Sequence, residues 1–154
     1  MKVSALESMA RKEEVINKCD VCNVAMVDLE NRPYVLPFNF AYKEQVLYLH
    51  SAPDGRKIDV LNSNNRVCVS FSSDHKLYHQ NENVACSYSM KYKSVLLYGE
   101  VSFIEDLDKK KEILNLIMEK YTSRNEFKYS LPALKNVRII KIPVDKLDGR
   151  AFGY

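Results

Sequence analysis

Between Val21 and Ser51 the chain alternates short apolar runs with turn signals: "VCNVAMVDL", "ENRP", "YVLPFNFAY", "KEQ" and "VLYLHS" follow one another without a break. Runs rich in Val, Tyr and Phe read as strands, and links of three or four residues suit antiparallel hairpins. A parallel crossover needs a dozen residues or more. The stretch is therefore expected to be a three-stranded antiparallel meander, which argues against a doubly wound parallel sheet.

The rest of the chain continues in that manner. "RVCVSFSS" at 66–73 adds a strand, "SVLLYGEVSFIED" at 94–106 a long one that Gly99 bends or bulges, and "VRIIKIPVDKL" at 137–147 a last one. Helical spacing appears three times. Residues 5–19 put Leu6, Met9, Ile16 and Cys19 on one face with Ser4 as a cap, and a second helix spans about Arg56 to Asn62. In 106–123, Leu107, Leu114, Ile117, Met118 and Tyr121 share a face, with Asp106 or Asp108 near the start. The polar stretch "DHKLYHQNENVAC" at 74–86 reads as a loop and a candidate lid. Six or so strands with few helices predict a mainly β fold, an antiparallel β-barrel with peripheral helices. A length of 154 residues favours one domain over 1–154, since a chain of that size hides roughly 70% of its unfolded surface.

Charge and hydropathy narrow the function classes. The net charge is +3 and the basic residues are interleaved with acidic ones, as in "KKKEILNLIMEK", so no stripe for nucleic acid stands out. The longest apolar runs fall far short of the roughly 20 residues that cross a bilayer, and the charged N-terminus is unlike a signal peptide, so no membrane role and a cytoplasmic location are expected. Cys19 and Cys22 form a C-x-x-C, but Cys68 and Cys86 stand alone in strand-like runs, so free thiols fit better than a zinc site. His75 and His79 lack a carboxylate or thiol in the near pattern, and surface histidines fit better than a metal site. No G-x-S-x-G, P-loop, H-E-x-x-H or G-x-G-x-x-G is present.

Three clusters remain as candidate sites. In "HSAPDGRK", His50 and Ser51 close a strand, Ala52 to Gly55 turn, and Arg56 and Lys57 open a helix. A helix N-terminus offers free N–H groups and the positive end of the dipole, a ready site for a phosphate. Basic residues there are disfavoured by up to roughly 1 kcal/mol without an anion, so the corner is either a phosphate site or a solvated helix start under mild strain. In "YVLPFNFAY", Pro37, Phe38 and Asn39 mark either an edge strand or a wall whose free backbone groups meet a flat heteroaromatic ring. In "CSYSMKYKSVLLYGEV", hydroxyl-bearing residues around Tyr92, Ser94 and Val95 suit either a ligand or a subunit interface.

In this order and spacing, "PYVLPFNFAY", "LYLHSAPDGRKIDVL", "VCVSF" and "YKSVLLYGEV" resemble the pyridoxamine 5′-phosphate oxidase-like flavoproteins, and among them the branch of nitroimidazole-resistance proteins. The likeness runs from about Val15 to Leu147. It implies an FMN-binding split barrel that forms a homodimer with FMN in two clefts at the interface. It further implies that Arg56, Lys57 and Ser51 take the FMN phosphate, with His50 and Ala52 in the same corner. Pro37, Phe38 and Asn39 would line the flavin ring, and Tyr92, Ser94 and Val95 would close the cleft. The implied activity passes electrons from reduced nicotinamide, NAD(P)H, to a small electron-poor acceptor, with His50 as the side chain suited to proton transfer. A non-catalytic flavin- or haem-binding protein and a pyridoxamine phosphate oxidase-like oxidase are the alternatives. The tail "DGRAFGY" lacks the longer arginine-bearing segment with which true pyridoxamine phosphate oxidases hold substrate.

Overall fold

The computed structural model describes residues 1–154. The order of elements is β1 (Val3–Ala5), α1 (Met9–Lys18), β2 (Cys22–Val27), β3 (Pro33–Phe38), β4 (Phe40–Lys43), β5 (Val46–Ser51), α2 (Arg56–Ser63), β6 (Arg66–Tyr78), β7 (Ser89–Glu100), β8 (Ser102–Ile104), α3 (Leu107–Thr122), α4 (Leu131–Lys135), β9 (Arg138–Pro143) and β10 (Lys146–Phe152). One sheet runs β1-β10-β7-β6-β2-β3 and the other β4-β5-β9-β8. All pairings are antiparallel, so the barrel expected from the strand pattern is present as a split barrel of two sheets with helices outside.

The split falls inside the second run of the expected meander. "YVLPFNFAY" breaks at Asn39: β3 pairs with β2 in the larger sheet (Cys22↔Phe38), while β4 pairs with β5 in the smaller one (Phe40↔Leu49). Phe38 and Phe40 are both buried and Asn39 between them is exposed, so the chain keeps its apolar face inward while changing sheets. Leaving the ladder would strand the Phe40 N–H. The Tyr121 hydroxyl accepts it at 3.1 Å and donates to the Asp20 carbonyl at 2.6 Å, pinning the crossover to the end of α3.

Phe40 of the smaller sheet meets Phe71 of the larger one edge-on, with centroids 5.2 Å apart and planes at 76°. Around them pack Leu47, Leu49, Ile140 and Ile142 from one sheet, Val24, Met26, Val69, Val95 and Leu97 from the other, and Val15 and Ile16 of α1. A second cluster, Ala41, Ile139, Ile113 and Ile117, joins the smaller sheet to α3.

Several local expectations change. Helix α1 begins at Met9, and Ser8 rather than Ser4 caps it, its Oγ accepting from the Arg11 N–H at 3.3 Å. Ser4 instead lies in β1 opposite Ala151, a pairing that no local signal announces. The first part of the expected lid is strand: β6 continues to Tyr78 past a register shift between Ser73 and Lys76, where Asp74 takes φ 56°. The long strand expected at 94–106 breaks at Val101 between β7 and β8. Gly99 serves close approach rather than a bulge, since a Cβ there would lie 2.5 Å from the Pro143 carbonyl oxygen and 2.8 Å from Ile142 Cγ2. The expected last strand is two, β9 and β10. Asp106 caps α3, accepting from the Lys109 N–H at 2.8 Å. The buried face of α3 carries Ile113 and Ile117, with the aliphatic stem of Lys110 beside them while its Nζ donates to the Leu134 and Val137 carbonyls at 3.2 and 2.8 Å.

Candidate functional site

The turn from β5 into α2 is shaped by Gly55, whose φ of +107° is a conformation that L side chains rarely adopt. A Cβ placed there would meet nothing within 4 Å, so open space lies in front of the helix. No side chain caps α2, and the first N–H groups of any helix lack intrahelical partners. Arg56 and Lys57 follow, and neither forms an ion pair. Instead they lie against aromatic rings of β3, with Arg56 Cζ 4.3 Å from the Tyr34 centroid and Lys57 Nζ 5.8 Å from that of Phe38. Two cations without ion-pair partners and an uncapped helix N-terminus gather positive potential at this corner, with Asp59 the acidic side chain in the first turn of α2.

His50 and Ser51 differ in their relation to it. Successive residues of a strand face opposite sides, and Ser51 is the buried one, at 8% exposure. Its Oγ donates to the Ala52 carbonyl at 2.8 Å, so that hydroxyl already has a partner. His50 reaches the surface, yet desolvation by the surrounding protein, followed by the charge of Lys57, lowers its pKa below the ordinary value of 6.5. Ala52 is exposed in the turn.

The strand wall adjoins the corner through β3, the outermost strand of the larger sheet. Pro37 is exposed there, as an edge strand permits. Phe38 is buried on the opposite face beneath Lys57, and Asn39 sits at the crossover with Nδ2 donating to the Asp20 carbonyl at 3.4 Å.

Tyr92, Ser94 and Val95 lie elsewhere in the same chain. Strand β7 is separated from β3 by β6 and β2, about 14 Å at the usual strand spacing of roughly 4.8 Å. Tyr92 and Ser94 occupy the outer face of the sheet, where Tyr92 stacks on Phe152 with centroids 6.1 Å apart, while the Val95 side chain is wholly buried in the barrel. The structure therefore groups His50, Ala52, Arg56, Lys57 and the 37–39 strand, and one chain does not bring the β7 trio to them. Farther along the same outer face Val27, Val35 and Leu96 are exposed, set among polar residues such as Asn23, Ser70 and Arg150.

Tyr34 is not singled out from sequence, and Tyr121 is read there only as part of the apolar face of α3. Strand alternation puts Tyr34 on the face of Phe38, a signal that was available; the link from Tyr121 to Phe40 spans 81 residues and leaves no local trace. Cys19 and Cys22 are buried, and burial pushes the Cys22 thiol up to about 12. His75 Nε2 lies 2.7 Å from Ser72 Oγ, and His79 packs on Tyr88 at 4.8 Å. No group of three or more His, Cys, Asp or Glu is arranged to hold a metal ion. No helix is long and apolar enough to cross a membrane. Larger clefts than any at the corner exist, but one, of about 450 Å³ beside α3, carries Glu44, Glu112 and Glu119, the wrong sign for a phosphate, and the other, of about 510 Å³, lies against β1.

Similarity to known proteins follows the geometry. The chain superposes with TM-score 0.88 on a candidate 5-nitroimidazole antibiotic resistance protein of Bacteroides thetaiotaomicron, at 46% identity over 98% of this chain and 88% of that one. A FAD-binding protein of Mesorhizobium loti gives 0.71 at 25% identity over 99% and 100% of the two chains. A FAD- and haem-binding protein of Mycobacterium smegmatis gives 0.83 at 17% identity over 100% and 75%, a likeness of fold alone. No protein of curated function matches. The profile of the pyridoxamine 5′-phosphate oxidase family matches residues 9–151, nearly the whole split barrel, and the chain belongs to that family.

Proposed function

We propose that the protein is a flavoprotein oxidoreductase that grips the phosphate of FMN at the corner and passes electrons from NAD(P)H to a small electron-poor acceptor such as a nitroaromatic. The observation that carries this reading is the pair Arg56 and Lys57, unpaired at an uncapped helix N-terminus with open space before it. The donor set fits a phosphate: a guanidinium, an ammonium and helix N–H groups. Bound there, the flavin supplies two-electron redox chemistry at its isoalloxazine ring.

The chain's own residues bind, orient and shield. Lys57 and Arg56 neutralise the phosphate, and the free edge of β3 at Pro37 to Asn39 offers backbone groups to a ring lying beside it. His50, held neutral near pH 7 by desolvation and by Lys57, is available to accept a proton. Tyr92 and Ser94 complete the cleft from a second copy of the chain, docked through the outer sheet face that exposes Val27, Val35 and Leu96. Four free cysteines suit a cytoplasmic setting, where thiols stay reduced. The name carried by the Bacteroides protein supports the choice of acceptor class.

The test begins with the absorbance spectrum of the purified protein and identification of the released chromophore. NAD(P)H oxidation is then followed with and without a 5-nitroimidazole. A chain that retains no flavin and binds none overturns the proposal. Sedimentation at micromolar concentration reads the assembly, and a monomer that binds FMN tightly removes the second copy from the site.

A further inference from the structure

The break between β3 and β4 leaves one residue in neither sheet. Asn39 is exposed between two buried phenylalanines, and its backbone N–H and carbonyl have no partner in the chain. The next N–H is engaged. Phe40 donates to the Tyr121 hydroxyl at 3.1 Å, and that hydroxyl donates in turn to the Asp20 carbonyl at 2.6 Å, which also receives Asn39 Nδ2 at 3.4 Å. Resting on the flavin reading above, we infer that Tyr121 is a positioning residue for the flavin ring: its hydroxyl aims the Asn39 carbonyl, and that carbonyl accepts the N3–H of the isoalloxazine.

The Phe40 N–H and the Asn39 carbonyl belong to one peptide unit. No peptide bond in the chain is cis, and a planar trans unit points its N–H and its carbonyl in opposite directions. Whatever fixes the one therefore fixes the other. With the Tyr121 hydroxyl on the N–H side, the Asn39 oxygen projects away from that hydroxyl, beside the open edge of β3. A carbonyl can only accept, and oxidised isoalloxazine carries a single N–H, at N3, so the free oxygen has one partner atom on the ring.

Phe40 steadies the same unit through its side chain. The ring is fully buried, edge-on to Phe71 at 5.2 Å, and Lys120 Nζ lies 4.5 Å from its centroid while donating to the Asn17 carbonyl at 3.2 Å. The last turn of α3 thus holds Phe40 by ring and by backbone. The packing of α3 does not call for the Tyr121 hydroxyl, because Ile113 and Ile117 carry the buried face and Tyr121 is 39% exposed. The Asn39 amide is turned to Asp20, which leaves the backbone of Asn39 as the group offered to a ligand.

The experiment titrates flavin-stripped parent and Tyr121→Phe by flavin fluorescence with FMN, with riboflavin and with 3-methyl-FMN, in which a methyl replaces the N3–H, and records the absorbance spectrum of each bound flavin. The parent is expected to bind FMN about tenfold more tightly than 3-methyl-FMN. Tyr121→Phe should weaken FMN and riboflavin by the same factor, about three- to tenfold for one neutral hydrogen bond, and leave 3-methyl-FMN within about twofold. The absorbance bands of bound FMN should shift, and the ratio of FMN to riboflavin affinity should stay at its parent value, since the phosphate contacts are untouched. Thermal melting of the apo proteins shows whether Tyr121→Phe is folded, and if it is not, the choice of the parent between FMN and 3-methyl-FMN decides. Equal affinity of the parent for those two flavins overturns the inference and leaves the flavin reading standing. So does a folded Tyr121→Phe that keeps the parent preference and spectrum, or that loses all three flavins in equal measure. A parent that binds no flavin overturns the flavin reading and this inference with it.

Discussion

Replacing Lys57 by Ala tests the corner most directly. In the apo protein the Lys57 ammonium has no carboxylate partner, and its Nζ lies 5.8 Å from the Phe38 centroid, near the outer limit of a cation–π contact, so its deletion costs about 0.5 kcal/mol there. Against this, a cation in the first turn of α2 opposes the helix dipole, an unfavourable term of about 0.3–1 kcal/mol that the substitution relieves. The two nearly cancel, and the apo melting temperature is expected to move by no more than about 3 °C, given that 1 kcal/mol shifts a domain of this size by roughly 2–4 °C. With a flavin bound, the same ammonium makes a charge-assisted hydrogen bond to a phosphate oxygen, about 1.5–3 kcal/mol. At 1.4 kcal/mol per decade, affinity should fall between about tenfold and about a hundredfold. Riboflavin, which has no phosphate, is the control, and its weaker binding should be the same in parent and variant. The assay is flavin fluorescence quenching on stripped protein. A variant that binds FMN as tightly as the parent, or that loses riboflavin and FMN in equal measure, shows that the phosphate is not held by Lys57.

The same substitution should raise the pKa of His50 in the apo protein, because Lys57 is one of the two causes that lower it; the His50 ring resonances in a proton NMR titration report this. As the folded pKa lies below the ordinary 6.5, the unfolded chain takes up this proton first as pH falls, so the apo protein should lose stability through that window, less so in Lys57→Ala. In thiol labelling at pH 8, the exposed Cys86 should react fastest and the buried Cys19 and Cys22 only on unfolding, with four thiols reacting in denaturant; rapid labelling of Cys22 in folded protein would contradict its place in the core. Gly99→Ala pushes a methyl onto the Pro143 carbonyl and Ile142, and chemical denaturation should show a loss of about 1–3 kcal/mol.

How much of this was legible depended on how far apart in sequence the partners lie. The corner was readable because its parts fall between His50 and Lys57, and the cap of α3 because Asp106 lies three residues from the N–H it accepts. The face of α3 was read less well, because Ile113 is in the core and Tyr121 turns outward to its hydrogen bonds. Strand β1 was taken for the start of a helix because its only partner, β10, lies at the other end of the chain. The last five residues of β6 were read as loop because the irregularity at Asp74 breaks the alternation, and Lys76 and Leu77 then both face solvent. Within the site, the direction of Arg56 toward Tyr34 and the prior engagement of the Ser51 hydroxyl depend on rotamers, which residue types do not fix. The distance from the corner to Tyr92 depends on strand order, which a meander pattern leaves open.

The positions of β9 and β10 bear on how this chain is made. Each is an interior strand, β9 between β5 and β8 and β10 between β1 and β7, yet together they occupy residues 138–152, after every other strand of both sheets. During synthesis neither sheet can close until residues 138–152 have emerged, and until then β5 and β7 present unpaired backbone beside apolar residues such as Leu49 and Leu97. A ribosome that stops short of Arg138 therefore releases two open sheets, and a chain in that condition belongs to chaperones or proteases.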